Sequence, residues 1–193
     1  MSSATPELIH AHRPPNLGRV VMLAPLGLVF FMSFRINSMS VSAAQTTFWI
    51  YAALMGLSLS SIFVIYTGQS IVQTFFVTAA SFGALSLYGY TTKKDLSGMG
   101  SFLIMGLFGL IIASIVNIFL ASSALQFAIS AIGVLIFSGL IAYDTQRLKM
   151  TYYELGGDRA SMAVATNFGA LSLYINFVNL FQFLLAFMGG NRN

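Results

Sequence analysis

Long apolar blocks broken by short polar stretches run through this 193-residue chain. A helix that crosses a bilayer needs about 20 mostly apolar residues, because the hydrocarbon layer is about 30 Å thick and the helix rises 1.5 Å per residue. Six blocks approach that requirement, running approximately from Val20 to Phe34, Ala43 to Tyr66, Ile71 to Tyr90, Ser101 to Leu120, Ala124 to Tyr143 and Ser161 to Met188. The first is short and carries Pro25, so it either kinks or gains length by letting Arg19 and Arg35 reach the two interfaces. The last exceeds one crossing and carries three asparagines, which predicts a tilted helix or a helix plus a re-entrant piece. The connectors "TGQS" and "ASS" are too short for anything but antiparallel neighbours. The expected fold is therefore all-α, a polytopic membrane bundle of about six transmembrane helices. Residues 20–190 form its single domain, behind a polar tail at 1–19.

Composition agrees with a bilayer as the solvent. Hydrophobic residues make up 57% and charged ones 7%, where an ordinary soluble domain is about a quarter charged. The tail "MSSATPELIHAHRPPNLGR" lacks the apolar stretch of a secretory signal peptide. The absence of cysteine excludes disulfides, thiolate metal sites and a cysteine nucleophile. Although the net charge is +4, the basic residues lie between apolar blocks rather than interleaved with aromatics, which argues against nucleic acid as a partner. They read as topology signals. The loops near Arg35, at Lys93 and Lys94, and from Arg147 through Lys149 to Arg159 fall on one side, and "TGQS" and "ASS" on the other carry no base, so the first set is expected to be cytoplasmic. Six spans then put both termini outside, against the trend of Arg13, Arg19 and Arg192.

Within the spans, small residues at four-residue spacing predict close helix contacts: Gly109, Ala113 and Asn117; Gly56 and Ser60; Ala79 and Gly83. The heptapeptide "FGALSLY" occurs at 82–88 and again at 168–174; with no further similarity flanking it, it reads as shared packing vocabulary in preference to an ancient duplication. In the last span Gly169, Ser172, Asn176 and Asn179 recur every three or four residues and share one face. Amides are poorly satisfied in lipid, so that face looks inward, onto a helix contact or a water-filled path.

Asp144 is the one acid inside or at the end of an apolar block. An ionised side chain at the bilayer centre costs about 2.5–3.5 kcal/mol on insertion scales, and less at an interface. Two readings stand side by side: an interfacial residue capping a separate polar helix "TQRLKMTYYE", or an intramembrane functional acid. Other motifs are weaker. His10 and His12 have the spacing of a metal pair but lie in the polar tail. "GGDR" at 156–159 is a turn, and Lys93, Lys94 and Asp95 form a polar loop.

Four segments, "YGYTTKKDLSGMGSFL", "ASIVNIFLASS", "GVLIFSGLIAYDTQRLK" and "GALSLYINFVNLFQFLL", in this order, resemble the Bax inhibitor-1 family in its compact bacterial form. The resemblance covers nearly the whole chain from about Val20. It implies a seven-helix bundle in a bacterial plasma (inner) membrane, with a polar last helix at its centre and a pH-sensitive calcium leak. For some bacterial relatives it implies binding to a membrane-bound ATP-dependent protease. The family's gate pairs two aspartates that share a proton, with a basic residue on an earlier helix. The first aligns with Asp144; the second falls on Asn176, in "LYINFVNLF"; the basic partner would be Arg35. On this resemblance the family's first helix is expected to be lacking, its place taken by the tail before Val20: either the sequence starts too late or the member is shortened, and a preceding span would return the N-terminus to the cytoplasm.

Two functions follow as expectations. One is a calcium or other cation leak gated by Asp144, Asn176 and Arg35, with Ser172, Asn179 and Asn117 as a polar helix face. The other is a non-conducting adaptor that binds and modulates a membrane-bound protease. An intramembrane aspartyl hydrolase would need a second acid in the spans, so no enzymatic activity is expected, and neither is a cofactor or resident metal.

Overall fold

The computed structural model describes residues 41–189. The block from Val20 to Phe34, Arg35, the two histidines and Arg192 lie outside the described residues. Five helices follow in order: α1 (Val41–Ile65), α2 (Gly68–Thr91), α3 (Ser97–Leu120), α4 (Ser123–Glu154) and α5 (Arg159–Met188). The chain divides into two compact units, Met1–Val64 and Ile65–Asn193, and α2 to α5 make up the second. Among the described residues four helices are long and apolar enough to cross a membrane: α2, α3, α4 and α5 from Ala165 onward, while α1 holds a shorter apolar segment, Ala52–Ile65.

Local chemistry sets where the helices begin and end. Thr67 caps α2 by accepting the Ser70 N–H at 3.2 Å. In the α2–α3 loop the Asp95 carboxylate accepts the Ser97 N–H at 2.9 Å. Hydrogen bonds from the Ser97 side chain, and then from its backbone, hold that exposed acid below the usual aspartate range. The α4–α5 turn uses Gly156 and Gly157 at φ +50° and +110°, a left-handed region costly for residues with a Cβ.

The tight α3–α4 turn is built by Asn117. Its amide donates to Gln126 at 3.0 Å while its carbonyl accepts the Ser122 N–H at 3.1 Å. Asn117 thus serves the turn opposite the basic loops. Removing both bonds leaves the exposed Gln126 amide and the half-buried Ser122 N–H without these partners, at about 1 kcal/mol each. Asn117→Ala is therefore expected to lower the thermal midpoint in detergent by about 4–8 °C.

α4 is one continuous helix of 32 residues, roughly 48 Å long, and Asp144 sits well inside it. The separate polar helix expected after Asp144 does not exist. Gln146, Arg147, Leu148, Lys149 and Met150 are good helix formers, and no glycine or proline interrupts them before Gly156. α5 is likewise unbroken over 30 residues, with no re-entrant piece. Asn179, buried within it, donates to the Ile175 carbonyl of its own helix at 2.9 Å, so the amide is satisfied without breaking the backbone ladder.

α4 is the hub of the second unit, packing against α2, α3 and α5. Phe75 and Phe82 of α2 meet Phe177 edge-on at 6.0 and 5.5 Å, forming a seam with α5. The close glycine contacts are not the predicted rows. Gly83 and Gly109 are exposed, and a Cβ there would meet no described atom within 4 Å, whereas at Gly89 a Cβ would lie 2.2 Å from the Ala142 carbonyl oxygen. Spacing defines a face but not the neighbour that covers it.

The layering is inverted relative to a soluble protein. Phe102, Phe119 and Leu135 are 73%, 84% and 71% exposed, while Thr74, Thr78, Ser130, Asn176 and Asn179 are buried. In water such a surface would aggregate; in lipid it is the outside.

Candidate gating site

α4 and α5 bring the acid and the polar stripe together. Asp144 is 7% exposed. Its Oδ2 accepts the Ser172 hydroxyl at 2.5 Å and the Asn176 amide at 2.8 Å. These donors lie on consecutive turns of α5, four residues apart, so one carboxylate oxygen bridges two turns of the facing helix. Hydrogen bonds to a charged acceptor contribute about 1.5–3 kcal/mol each, enough to hold a buried carboxylate between two helices. The same stripe continues to Gly169, where a Cβ would lie 2.3 Å from a methyl of Leu148, so α5 closes tightly on α4 one turn away.

The other oxygen, Oδ1, faces Arg147 of its own helix at 3.5 Å, with the arginine side chain 55% exposed. The Arg147 guanidinium also lies over the Tyr143 ring, 5.7 Å from its centroid. Exposed ion pairs contribute about 0–1 kcal/mol, so the donors from α5 are the stronger restraint. Arg35, the basic residue implied for this role, lies outside the described residues. Arg147 read in sequence as a topology signal, although its i,i+3 spacing from Asp144 was visible.

Depth follows from two ties. Gly89, two residues before the end of α2, packs on Ala142, and Gln146 joins the α2–α3 loop by accepting the Leu96 N–H at 2.8 Å and donating to the Lys94 carbonyl at 2.7 Å. Asp144 lies between these points, at the level of the last turn of α2 and near the basic loops. Beside it is a cavity of about 180 Å³, bordered by Arg147, Leu148, Thr151, Ala165 and Gly169.

Apolar outside, polar inside, and clasped near one end by a buried acid, this unit is that of a polytopic α-helical membrane protein with an ionisable contact between its last two helices. A family model described as Inhibitor of apoptosis-promoting Bax1 matches residues 1–193, and the chain belongs to that family, Bax inhibitor-1. A protein of Caulobacter vibrioides is 67% identical over 173 residues, covering 90% of this chain and 69% of the relative. A Rickettsia prowazekii protein is 50% identical, covering 96% and 78%. The inner membrane protein YbhL of Escherichia coli is 46% identical, covering 99% and 81%. This chain is accordingly an integral protein of the bacterial inner membrane.

Proposed function

We propose that this protein is a slow, weakly selective leak for cations, calcium among them, and that the Asp144 clasp closes it. The observation that carries the reading is a carboxylate of 7% exposure bridging two donors of α5, with a cavity alongside. When Asp144 is ionised, its charge-assisted bonds to Ser172 and Asn176 hold α5 against α4. When it is neutral, those bonds weaken to ordinary ones, the attraction to Arg147 disappears, and the α4–α5 seam loosens near its basic end. Calcium binds tightly where several carboxylate or carbonyl oxygens converge. The clasp brings one carboxylate, Asp144, to the contact, which fits passage at low affinity.

The test is calcium entry into dye-loaded liposomes from pH 5 to 8. Wild-type protein should leak in a pH-dependent way. Asp144→Asn, locked in the neutral state, should leak faster across the whole range and lose that dependence. Absence of flux from both, in protein with an intact thermal transition, would overturn the reading. It would turn attention to the non-conducting adaptor, to be sought by co-purification of a membrane-bound ATP-dependent protease.

A further inference from the structure

A second and larger cavity, about 750 Å³, opens at the basic end between the α2–α3 loop and the last turns of α4. Lys93, Lys94, Arg147 and Lys149 line it against only Asp95 and Glu154, an excess of two positive charges. Lys149 is set in place there, its ammonium donating to the Tyr90 carbonyl at 2.6 Å and lying 5.1 Å from the centre of the Tyr90 ring. The ties of Gln146 to Leu96 and Lys94 set this cavity beside the α2–α3 loop, where the apolar span of α2 ends. Below its rim, Ile104 and Phe108 lie seven and eleven residues beyond Ser97 on one stripe of α3, exposed at 44% and 38%. An occupant with an anionic head and apolar chains fits both parts, the head among the bases and the chains along α3.

Arg147 belongs to both cavities. It borders the small one beside Asp144 and the large one at the basic end, and its guanidinium, resting over Tyr143, faces Asp144 at a loose 3.5 Å. We propose that the large cavity binds the phosphate of an anionic phospholipid headgroup, and that the bound phosphate competes with Asp144 for Arg147. Phosphate offers the guanidinium paired, better aligned hydrogen bonds than the 3.5 Å contact does. Binding is linked to the clasp, and the linkage is reciprocal. Anything that removes the Asp144 charge frees Arg147 for the lipid. The inference concerns binding and holds whether or not the protein conducts ions.

The experiment is lipid retention by the full chain, purified in neutral detergent, mixed with equimolar phosphatidylcholine and phosphatidylglycerol and weighed by native mass spectrometry. Phosphatidylglycerol should be preferred by about tenfold or more, given the several bases lining the site. Lys93→Gln and Lys94→Gln, both at exposed loop positions, should each reduce that preference about fivefold without changing the thermal midpoint. Asp144→Asn should raise it about threefold through the freed arginine. Equal retention of the two lipids by wild-type protein would overturn the site. Preference unchanged in Asp144→Asn, with the lysine variants reduced, would overturn the sharing of Arg147. Inorganic phosphate raising the thermal midpoint of lipid-stripped protein as much as phosphatidylglycerol does, at equal concentration, would show a free-phosphate site and overturn the lipid as occupant.

Discussion

Gly89→Ala is expected to cost the folded protein about 3 kcal/mol or more, a large effect for one added methyl. The new Cβ would lie 2.2 Å from the Ala142 carbonyl oxygen and 2.9 Å from its carbon, atoms of a helix backbone that cannot rotate away like a side chain. α2 and α4 would have to separate. Because Ala142 is two residues from Asp144, the acid would move with them. Gly83→Ala is the matched control. It is exposed in the same helix, its Cβ would meet no described atom within 4 Å, and it should gain up to about 1 kcal/mol from helix propensity. Thermal unfolding of the two variants in one detergent measures the contrast. A Gly89→Ala midpoint equal to that of Gly83→Ala would mean that the helices do not approach this closely.

Asn176→Asp should steepen the proton dependence of the leak. The amide nitrogen of Asn176 sits 2.8 Å from Asp144 Oδ2, so the new carboxyl would stand within hydrogen-bond distance of the old one. Two carboxylates that close cannot both ionise cheaply; they share a proton and titrate as a coupled pair. In the wild type an amide fills this place. It always donates and never titrates, as if half of a paired latch were permanently protonated. The wild-type leak should therefore follow a single proton, and Asn176→Asp should approach a two-proton slope in the liposome assay. Equal slopes would separate Asn176 from gating. A two-proton slope already present in the wild type would place a second titrating group elsewhere.

Much of this architecture was legible along the chain. The predicted blocks from Ala43, Ile71, Ser101, Ala124 and Ser161 correspond to α1 through α5, because bilayer thickness and the need to satisfy every backbone group leave helices as the available solution. Asp144 and the stripe Ser172, Asn176 could be singled out because polar groups are rare in such segments. Helix ends were less legible. The break expected at Asp144 rested on a change in polarity, whereas backbone propensity carries the helix through to Glu154.

The two copies of "FGALSLY" mark where sequence stops. Ser172 donates to Asp144, but its counterpart Ser86 keeps a buried hydroxyl with no hydrogen-bond partner among the described residues. Gly169 closes on Leu148, but Gly83 is exposed. Seven identical residues carry identical propensities and periodicity, so nothing local distinguishes them. Sequence by itself determined that this is an α-helical membrane protein of the Bax inhibitor-1 family, and that Asn176 and Asn179 of its last span turn inward, because hydrocarbon thickness and polar desolvation act on each segment separately. Only the tertiary structure decided that Asp144 meets Ser172 and Asn176, that Arg147 faces it from its own helix, and that Asn117 belongs to a turn. Those pairings depend on helix rotation and register, set jointly by close contacts such as Gly89 on Ala142 between segments distant in the chain.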